Sequence, residues 1–171
     1  MKYTSAQAAK LLRKLNEEKN ALLIGERKTS VFTAATTEDK EAVRPEYDYT
    51  ATQAGITSID KKIRIVKHAL NLFNTQTVIP GFDITIDEAL VYMPQLKERE
   101  SKLSNMKQRL QKGERIGAAA YGRQSALIEY SYPNYTVEDA RRDYEAVVDE
   151  LARLQNALDL VNSTAELEIN I

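Results

Sequence analysis

The residues that most often perform acid–base, nucleophilic or metal chemistry are scarce in this chain. Its 171 residues include a single histidine, His68, and no cysteine. The lack of cysteine excludes disulfides, cysteine-based zinc sites, iron–sulfur clusters and thiol nucleophiles, and one histidine is too few for most histidine metal sites or catalytic dyads. His68 lies off the apolar stripe of its predicted helix, so we expect a solvated surface side chain.

The acidic residues do not form a recognisable catalytic pair either. Glu17, Glu18, Glu98 and Glu100 lie on predicted long helices, where charged residues usually form a solvated face. Paired carboxylates for general acid–base catalysis would need a concave site between them, and no sequence feature supplies one. An enzyme is therefore the least favoured hypothesis, and we predict no catalytic residue, no metal ligand and no cofactor.

A basic, glycine-containing segment extends from Lys112 to Arg123. A phosphate-binding P-loop requires Gly-x-x-x-x-Gly-Lys-Ser/Thr between a strand and a helix. Here no Lys-Ser/Thr pair follows the glycines, and three alanines fill the middle of the segment. The segment is predicted to be a connection after a helix stop at Gly113, and an anion or partner site is the alternative.

Tyrosines are concentrated at the end of this connection and just beyond it. With two arginines they form a candidate binding surface: Arg115, Tyr121, Arg123, Tyr130, Tyr132 and Tyr135. Aromatic residues interleaved with basic ones can stack on nucleic-acid bases or anchor a protein partner. Because only Arg123 lies among the four tyrosines, nucleic acid is not the expected partner. The alternative is that the connection 121–135 simply packs over the ends of the helices.

Lys19 and Glu100 form the most specific pair in the sequence. Each occupies a position in its helix stripe where an apolar residue is expected, and the two positions lie 81 residues apart. In a bundle with a pseudo-twofold axis the two charges would meet as a polar layer in the core, which fixes register more than it adds stability. The alternative is that both side chains point to solvent.

Four amphipathic helices are predicted from apolar residues that recur every three or four positions. Their predicted ranges are 5–27, 46–74, 86–112 and 137–162. Thr4 and Thr85 begin capping-box patterns at the starts of the first and third helices. Pro45 is expected to open the second helix, and Pro94 to kink the third.

Four short segments outside these helices are rich in Thr, Val, Ile, Tyr or Phe and are predicted to be extended. They span 29–36, 75–79, 125–130 and 164–169. If the helices run up, down, up, down, the first and third segments lie at one end of the bundle and the second and fourth at the other. We therefore expect a two-stranded ribbon at each end.

The two halves of the chain resemble each other. Ala-Leu-Asn-Leu-Phe-Asn-Thr at 69–75 returns 88 residues later as Ala-Leu-Asp-Leu-Val-Asn-Ser at 157–163. The first and third helix starts, at 4–9 and 85–90, align 81 residues apart. We interpret this as a duplicated helix–strand–helix hairpin, and chance register between amphipathic helices is the alternative.

The predicted fold class is all-α: an up-and-down antiparallel four-helix bundle with short β-ribbons at its ends. The hairpin repeats would cover about 4–80 and 85–171 of a single domain, 1–171. The 24 basic and 25 acidic residues give a net charge of −1, so no electrostatic attraction to nucleic acid or anionic membranes is expected. No apolar run reaches the ~20 residues of a membrane span and no signal peptide is recognised, so a cytoplasmic protein is expected.

The order of these motifs resembles a known family. The motifs that carry the similarity are a capped first helix with Leu15-Asn16, a second helix ending in Asn74-Thr75, a Thr-x-x-Glu-Ala-Leu start at 85–90 and a last helix closing at 158–162. Their order is similar to that of the septicolysin-like family of small bacterial helical proteins. The resemblance concerns architecture. It implies an uncharacterised, mainly helical, cytosolic-type protein with no assigned catalytic residue, and the chain lacks the membrane-length or basic amphipathic segment that a cytolysin would suggest.

Two functional hypotheses are favoured over an enzyme. The leading one is a noncatalytic structural or interaction protein that self-associates into a homo-oligomer, because apolar residues flank the helix stripes: Leu11, Leu23, Ile65 and Leu72. Exposed apolar patches of this kind usually mark an interface. The alternative is a binding module that uses the connection 121–135 for a protein, nucleic acid or small ligand.

Overall fold

The structure of the chain, a computed structural model, describes residues 1–116 and 129–171. Helices account for 68% of the residues, which confirms the predicted all-α class. The elements in chain order are β1 (Lys2–Thr4), α1 (Ser5–Thr29), α2 (Lys40–Val43), α3 (Tyr49–Gln76), α4 (Ile86–Lys107), β2 (Glu114–Ile116), β3 (Glu129–Ser131), α5 (Val137–Thr164) and β4 (Glu166–Glu168).

The predicted capping boxes form at the starts of α1 and α4. Thr4 and Gln7 exchange side-chain-to-backbone bonds, and Thr85 and Glu88 do the same. The bonds from the Thr85 backbone and hydroxyl lower the pKa of Glu88, because they stabilise its carboxylate. The contribution of Glu88 to stability is therefore complete above the carboxyl pKa of the unfolded chain and is lost as the pH falls through the lower folded value.

The other helix boundaries correct the predictions in two places. α3 begins at Tyr49 rather than at 46, because the Asp48 carboxylate accepts the Ala51 N–H at 2.8 Å and caps the helix there; Pro45 precedes this cap and does not open the helix. α4 ends at Lys107 rather than at 112. Gly113 lies beyond the helix in a turn, with φ +88°, and its N–H donates to the Leu110 carbonyl. The short helix α2 was not predicted.

The chain forms two compact units, of which each contains an antiparallel helix pair. Unit 1 comprises Met1–Thr77 and Leu160–Ile171, and unit 2 comprises Val78–Asp159. In unit 1, α1 packs against α3, and Lys19 and Asp60 form an ion pair between the two helices. In unit 2, the Tyr92 hydroxyl of α4 donates to Glu150 of α5 at 2.7 Å. A single bundle of all four helices within one domain stays a prediction.

The predicted apolar stripes supply the buried core. Val66 and Leu154 are fully buried at equivalent positions of α3 and α5, and Leu96 is buried in α4. Among the described residues, no polar or charged residue is buried. His68 is exposed, as predicted.

The short strands form ribbons, but their partners differ from those predicted. β1 pairs antiparallel with β4, with Thr4 opposite Glu166, and β2 pairs antiparallel with β3. No strand is found within 30–36, and of the 75–79 segment only Val78 forms a bridge, with Thr85. Residues 125–128 lie outside the described part of the chain. Three-residue strands carry too little alternation to identify their partners from sequence.

The two glycines at 25 and 113 should respond oppositely to alanine. We expect Gly113→Ala to destabilise the protein by about 1–2 kcal/mol, because a positive φ is costly for an L-residue and the new Cβ would lie 2.5 Å from Cε1 of Tyr132. Gly25 lies in α1 with nothing within 4 Å of a Cβ, so Gly25→Ala should stabilise by about 0.5–1 kcal/mol. Urea unfolding measures both, and a Gly113→Ala protein as stable as the wild type or more stable would contradict this account of Gly113.

Candidate functional site

An open groove in unit 1 is the strongest candidate for a functional site. Its volume is about 630 Å³, within the ~300–1,000 Å³ typical of ligand-binding pockets. One wall is the C-terminal half of α3, and the other consists of the six consecutive residues Ala165–Asn170, which include β4. We refer to it as the α3–β4 groove.

The local sequence explains why this groove is apolar. In α3, Val66 and Phe73 belong to the buried stripe, and Phe73 also reaches the groove, while Ile65 and Leu72 flank that stripe and line the groove. Leu72 is 45% exposed, a large apolar side chain that this unit leaves uncovered. Ile65 and Leu72 are two of the four flanking residues from which self-association was predicted, and the other two, at 11 and 23, are half-buried in α1.

The groove runs along one edge of β4. Successive residues of a strand point to opposite faces, so a groove across one face would be lined by alternate residues only. Here the residues from Ala165 to Asn170 all line it, and none of residues 1–4 does. The groove therefore follows the edge of β4 that faces away from β1.

Backbone groups of β4 are directed toward that edge. The backbone nitrogens of Met1 and Ile169 each donate to the other residue's carbonyl, at 3.1 and 2.9 Å. In an antiparallel ladder such mutually bonded pairs alternate with residues whose N–H and C=O groups point to the opposite edge. By this alternation Glu166 and Glu168 present their backbone groups to the groove, and within the described residues the sheet has no third strand.

The charged groups that line the groove are acidic, apart from one histidine. Leu167 and Ile169 are buried, whereas Glu166 and Glu168 are exposed. Glu166 forms an ion pair of 3.2 Å with Lys2 across the ribbon. Of the residues that the structure describes, the lining contains His68 but neither lysine nor arginine, so the groove favours a neutral or basic occupant.

A second, more polar concavity lies at the connection between α1 and α3. It has a volume of about 460 Å³ and is lined in part by Phe32, Arg44 and Tyr47. The Tyr47 hydroxyl donates to Glu26 at 2.7 Å, and this bond, with burial, raises the pKa of Tyr47. The pKa of Tyr92 is raised in the same way by its bond to Glu150. A raised pKa favours the protonated phenol, which donates a hydrogen bond. The two hydroxyls therefore suit a structural role, in which they link chain segments, better than a role in proton transfer.

Lys19 and Glu100 have other partners than the predicted ones. The Lys19 ammonium lies 2.7 Å from the carboxylate of Asp60 on α3, and Glu100 lies 3.1 Å from the ammonium of Lys97 in its own helix. Each of these ion pairs lies within one unit, Lys19 in unit 1 and Glu100 in unit 2, so a polar layer shared by the two residues stays a prediction. The sequence comparison set α1 beside α4 and contained no information on Asp60 of α3, which packs against Lys19.

The predicted tyrosine surface is described only in part. Tyr130 and Tyr132 are 49% and 65% exposed, and their ring centroids lie 6.2 Å apart. Arg115 is exposed in β2, and Tyr135 is half-buried, with its hydroxyl donating to the Met106 carbonyl at 2.9 Å. The other two residues, Tyr121 and Arg123, lie outside the described part of the chain. A binding role for the connection 121–135 stays a prediction.

In residues 1–116 and 129–171, no group of three or more His, Asp or Glu side chains is arranged to hold a metal ion. Over the same ranges, no helix is both long enough and apolar enough to cross a membrane.

Comparison with known proteins identifies a fold but no function. No protein-family model and no curated protein matches the chain. The crystal structure of a functionally unknown conserved protein from Corynebacterium diphtheriae is similar over 98% of this chain and 100% of that chain, with a TM-score of 0.57 and 14% identity. At this identity the similarity concerns the fold alone, and that fold is mainly helical.

Proposed function

We propose that this is a noncatalytic interaction protein that binds a segment of a protein partner in the α3–β4 groove. The observation that carries the proposal is the open groove itself, which combines an exposed apolar wall at Leu72 with an edge of β4 that no strand of the described residues pairs. Exposed strand edges are templates for pairing with another chain, and peptide recognition often adds a strand to such an edge. The groove was not predicted from the sequence.

We also propose that the scaffold is an internally duplicated hairpin. α3 and α5 are both 28 residues long, and their first residues, Tyr49 and Val137, are 88 positions apart. Each of the two tyrosines just before these helices, Tyr47 and Tyr135, donates its hydroxyl to the C-terminal part of the preceding long helix. The equal helix lengths and the similar placement of the two tyrosines support duplication over chance register.

The strand contacts follow the same offsets. Thr4 pairs with Glu166 in unit 1, and Thr85 forms a bridge with Val78 in unit 2. The two threonines are 81 residues apart and their partners are 88 residues apart. Both threonines also begin a capping box. The agreement of pairing and capping supports a duplicated unit, whose two copies can differ in what they bind.

A display selection tests the proposed binding function. A random peptide library would be selected on the wild-type protein alone, and the selected peptides would then be tested on Leu72→Arg, which places a long charged side chain in the groove. Leu160→Arg is the matched control, because Leu160 is 60% exposed, lies at the equivalent position of α5 and does not line the groove.

We expect selected peptides to bind wild type and Leu160→Arg with affinities within about threefold and to lose at least tenfold on Leu72→Arg. Circular dichroism would establish that both variants remain helical. Selection of peptides that are indifferent to Leu72→Arg, or recovery of none, would count against the groove as the binding surface.

Self-association is the second candidate, and α4 supplies a specific observation for it. Leu90 and Val91 are adjacent in that helix and are 50% and 61% exposed, and such apolar surface favours association. Light scattering of the purified protein measures the molar mass directly. A homo-oligomer that dissociates in Val91→Glu would support the proposal, whereas a 19.3 kDa monomer at high micromolar concentration would refute it.

A further inference from the structure

We infer that the α3–β4 groove takes an extended peptide that adds a strand to β4 and alternates basic with apolar residues, one of them aromatic. This inference rests on the proposed binding function and specifies the chemistry of the partner. The backbone of β4, the charges beside it and the equivalent region of unit 2 each support one part of it.

The first part is the extended conformation. Glu166 and Glu168 direct their backbone N–H and C=O groups into the groove by the alternation of the ribbon. A helix cannot satisfy these groups, since its own backbone is already bonded internally. An added strand can, and its side chains would alternate between the two faces that β4 defines.

The second part is the charge of the partner. In an added antiparallel strand, residues opposite Glu166 and Glu168 lie on the same exposed face as these carboxylates. Basic residues at those positions would pair with Glu168 and would share Glu166 with Lys2, which already lies 3.2 Å from it, whereas acidic ones would be repelled. A second copy of β4, aligned about Leu167, would bring the two glutamates of one chain against those of the other. The charges therefore favour a different, basic segment over self-pairing through this edge.

The third part is the aromatic residue. In unit 2, the ring of Phe82 lies 5.5 Å from the guanidinium carbon of Arg153 on α5. The positions 88 residues away in unit 1 are Asn170 and Ile65, and both of these line the open groove. Where unit 2 carries an aromatic ring beside Arg153 of α5, unit 1 carries a short amide and an apolar wall that lines the open groove. A partner's aromatic side chain fits this difference.

The test uses a synthetic peptide with blocked ends, Thr-Lys-Phe-Lys-Val-Lys-Thr, which places lysines on one face and Phe and Val on the other. Fluorescence anisotropy would measure its binding to the wild-type protein and to Glu166→Lys/Glu168→Lys. Four altered peptides serve as comparisons: one with glutamate for each lysine, one with alanine for Phe, one N-methylated at the lysine amides, and one N-methylated at the Phe and Val amides.

We expect the lysine peptide to bind at least tenfold more tightly than the glutamate peptide, and the charge-reversed protein to invert that order. Removal of the Phe ring should weaken binding at least fivefold. N-methylation of the lysine amides should abolish binding, because those N–H groups face β4, while N-methylation of the Phe and Val amides should change it by less than threefold.

Equal sensitivity to both N-methylation patterns, or no preference between the lysine and glutamate peptides, would overturn the inference. The display selection separates this outcome from failure of the proposed function. If library peptides depend on Leu72 but are acidic or helical, the groove binds partners and the inferred partner chemistry is wrong. If no library peptide depends on Leu72, both fail.

Discussion

Leu154→Ala should lower the free energy of unfolding by about 2–5 kcal/mol. Leu154 has no exposed surface, so truncation removes transfer free energy and leaves a cavity that its neighbours fill only in part. It belongs to the stripe of α5 that the sequence predicts to be the core. Urea unfolding followed by circular dichroism measures the change.

Leu160→Ala is the control for this prediction. It makes the same substitution in the same helix, but Leu160 is 60% exposed, so the change should lie within about 0.5 kcal/mol of zero. If Leu154→Ala cost no more than Leu160→Ala, the assignment of the α5 core face would be wrong.

Ile79→Ala should be nearly as destabilising, by about 2–4 kcal/mol, although Ile79 lies outside any helix. Its side chain is fully buried, and its N–H donates to the Ile84 carbonyl at 2.8 Å. That backbone bond survives the substitution, so the loss would report the buried side chain alone. The residue thus anchors the short connection that leads from α3 to α4.

Val78→Ala is the neighbouring comparison. Val78 is 54% exposed, and its bridge with Thr85 uses backbone atoms that alanine retains. We expect a change below about 0.5 kcal/mol, measured by the same urea titration. A larger effect at 78 than at 79 would mean that this connection is held by the opposite set of side chains.

Helix positions could be predicted because their signals are local. The stripes containing Val66 and Leu154 follow the period of a helix, and the capping boxes at Thr4 and Thr85 need only residues three positions apart. The start of α3 was misplaced because a proline and an aspartate compete for the same role, and in the structure the Asp48 carboxylate makes the capping bond.

The partners of strands and charges could not be predicted in the same way. Lys2–Thr4 is too short to display an alternating pattern, yet it is the strand that pairs with β4. Lys19 pairs with Asp60, 41 positions away, and no local signal connects them. Both contacts depend on which segments lie side by side, and this is set by the packing of whole helices.

The candidate site had a partial signal in the sequence. Ile65 and Leu72 were recognised as apolar residues beside a helix stripe, and the tail at 164–169 as an alternating strand. The sequence did not indicate that these two features form the walls of one groove. Their sequence separation of roughly a hundred residues is bridged by tertiary contacts that neither pattern encodes.

Amide chemical-shift mapping with a library-selected peptide tests the central claim most directly, because it locates the bound peptide on the chain. The account predicts that the largest shifts occur at His68, Leu72, Glu166 and Glu168, and that they disappear in Leu72→Arg. Largest shifts within 78–159, with those groove residues unperturbed, would contradict it.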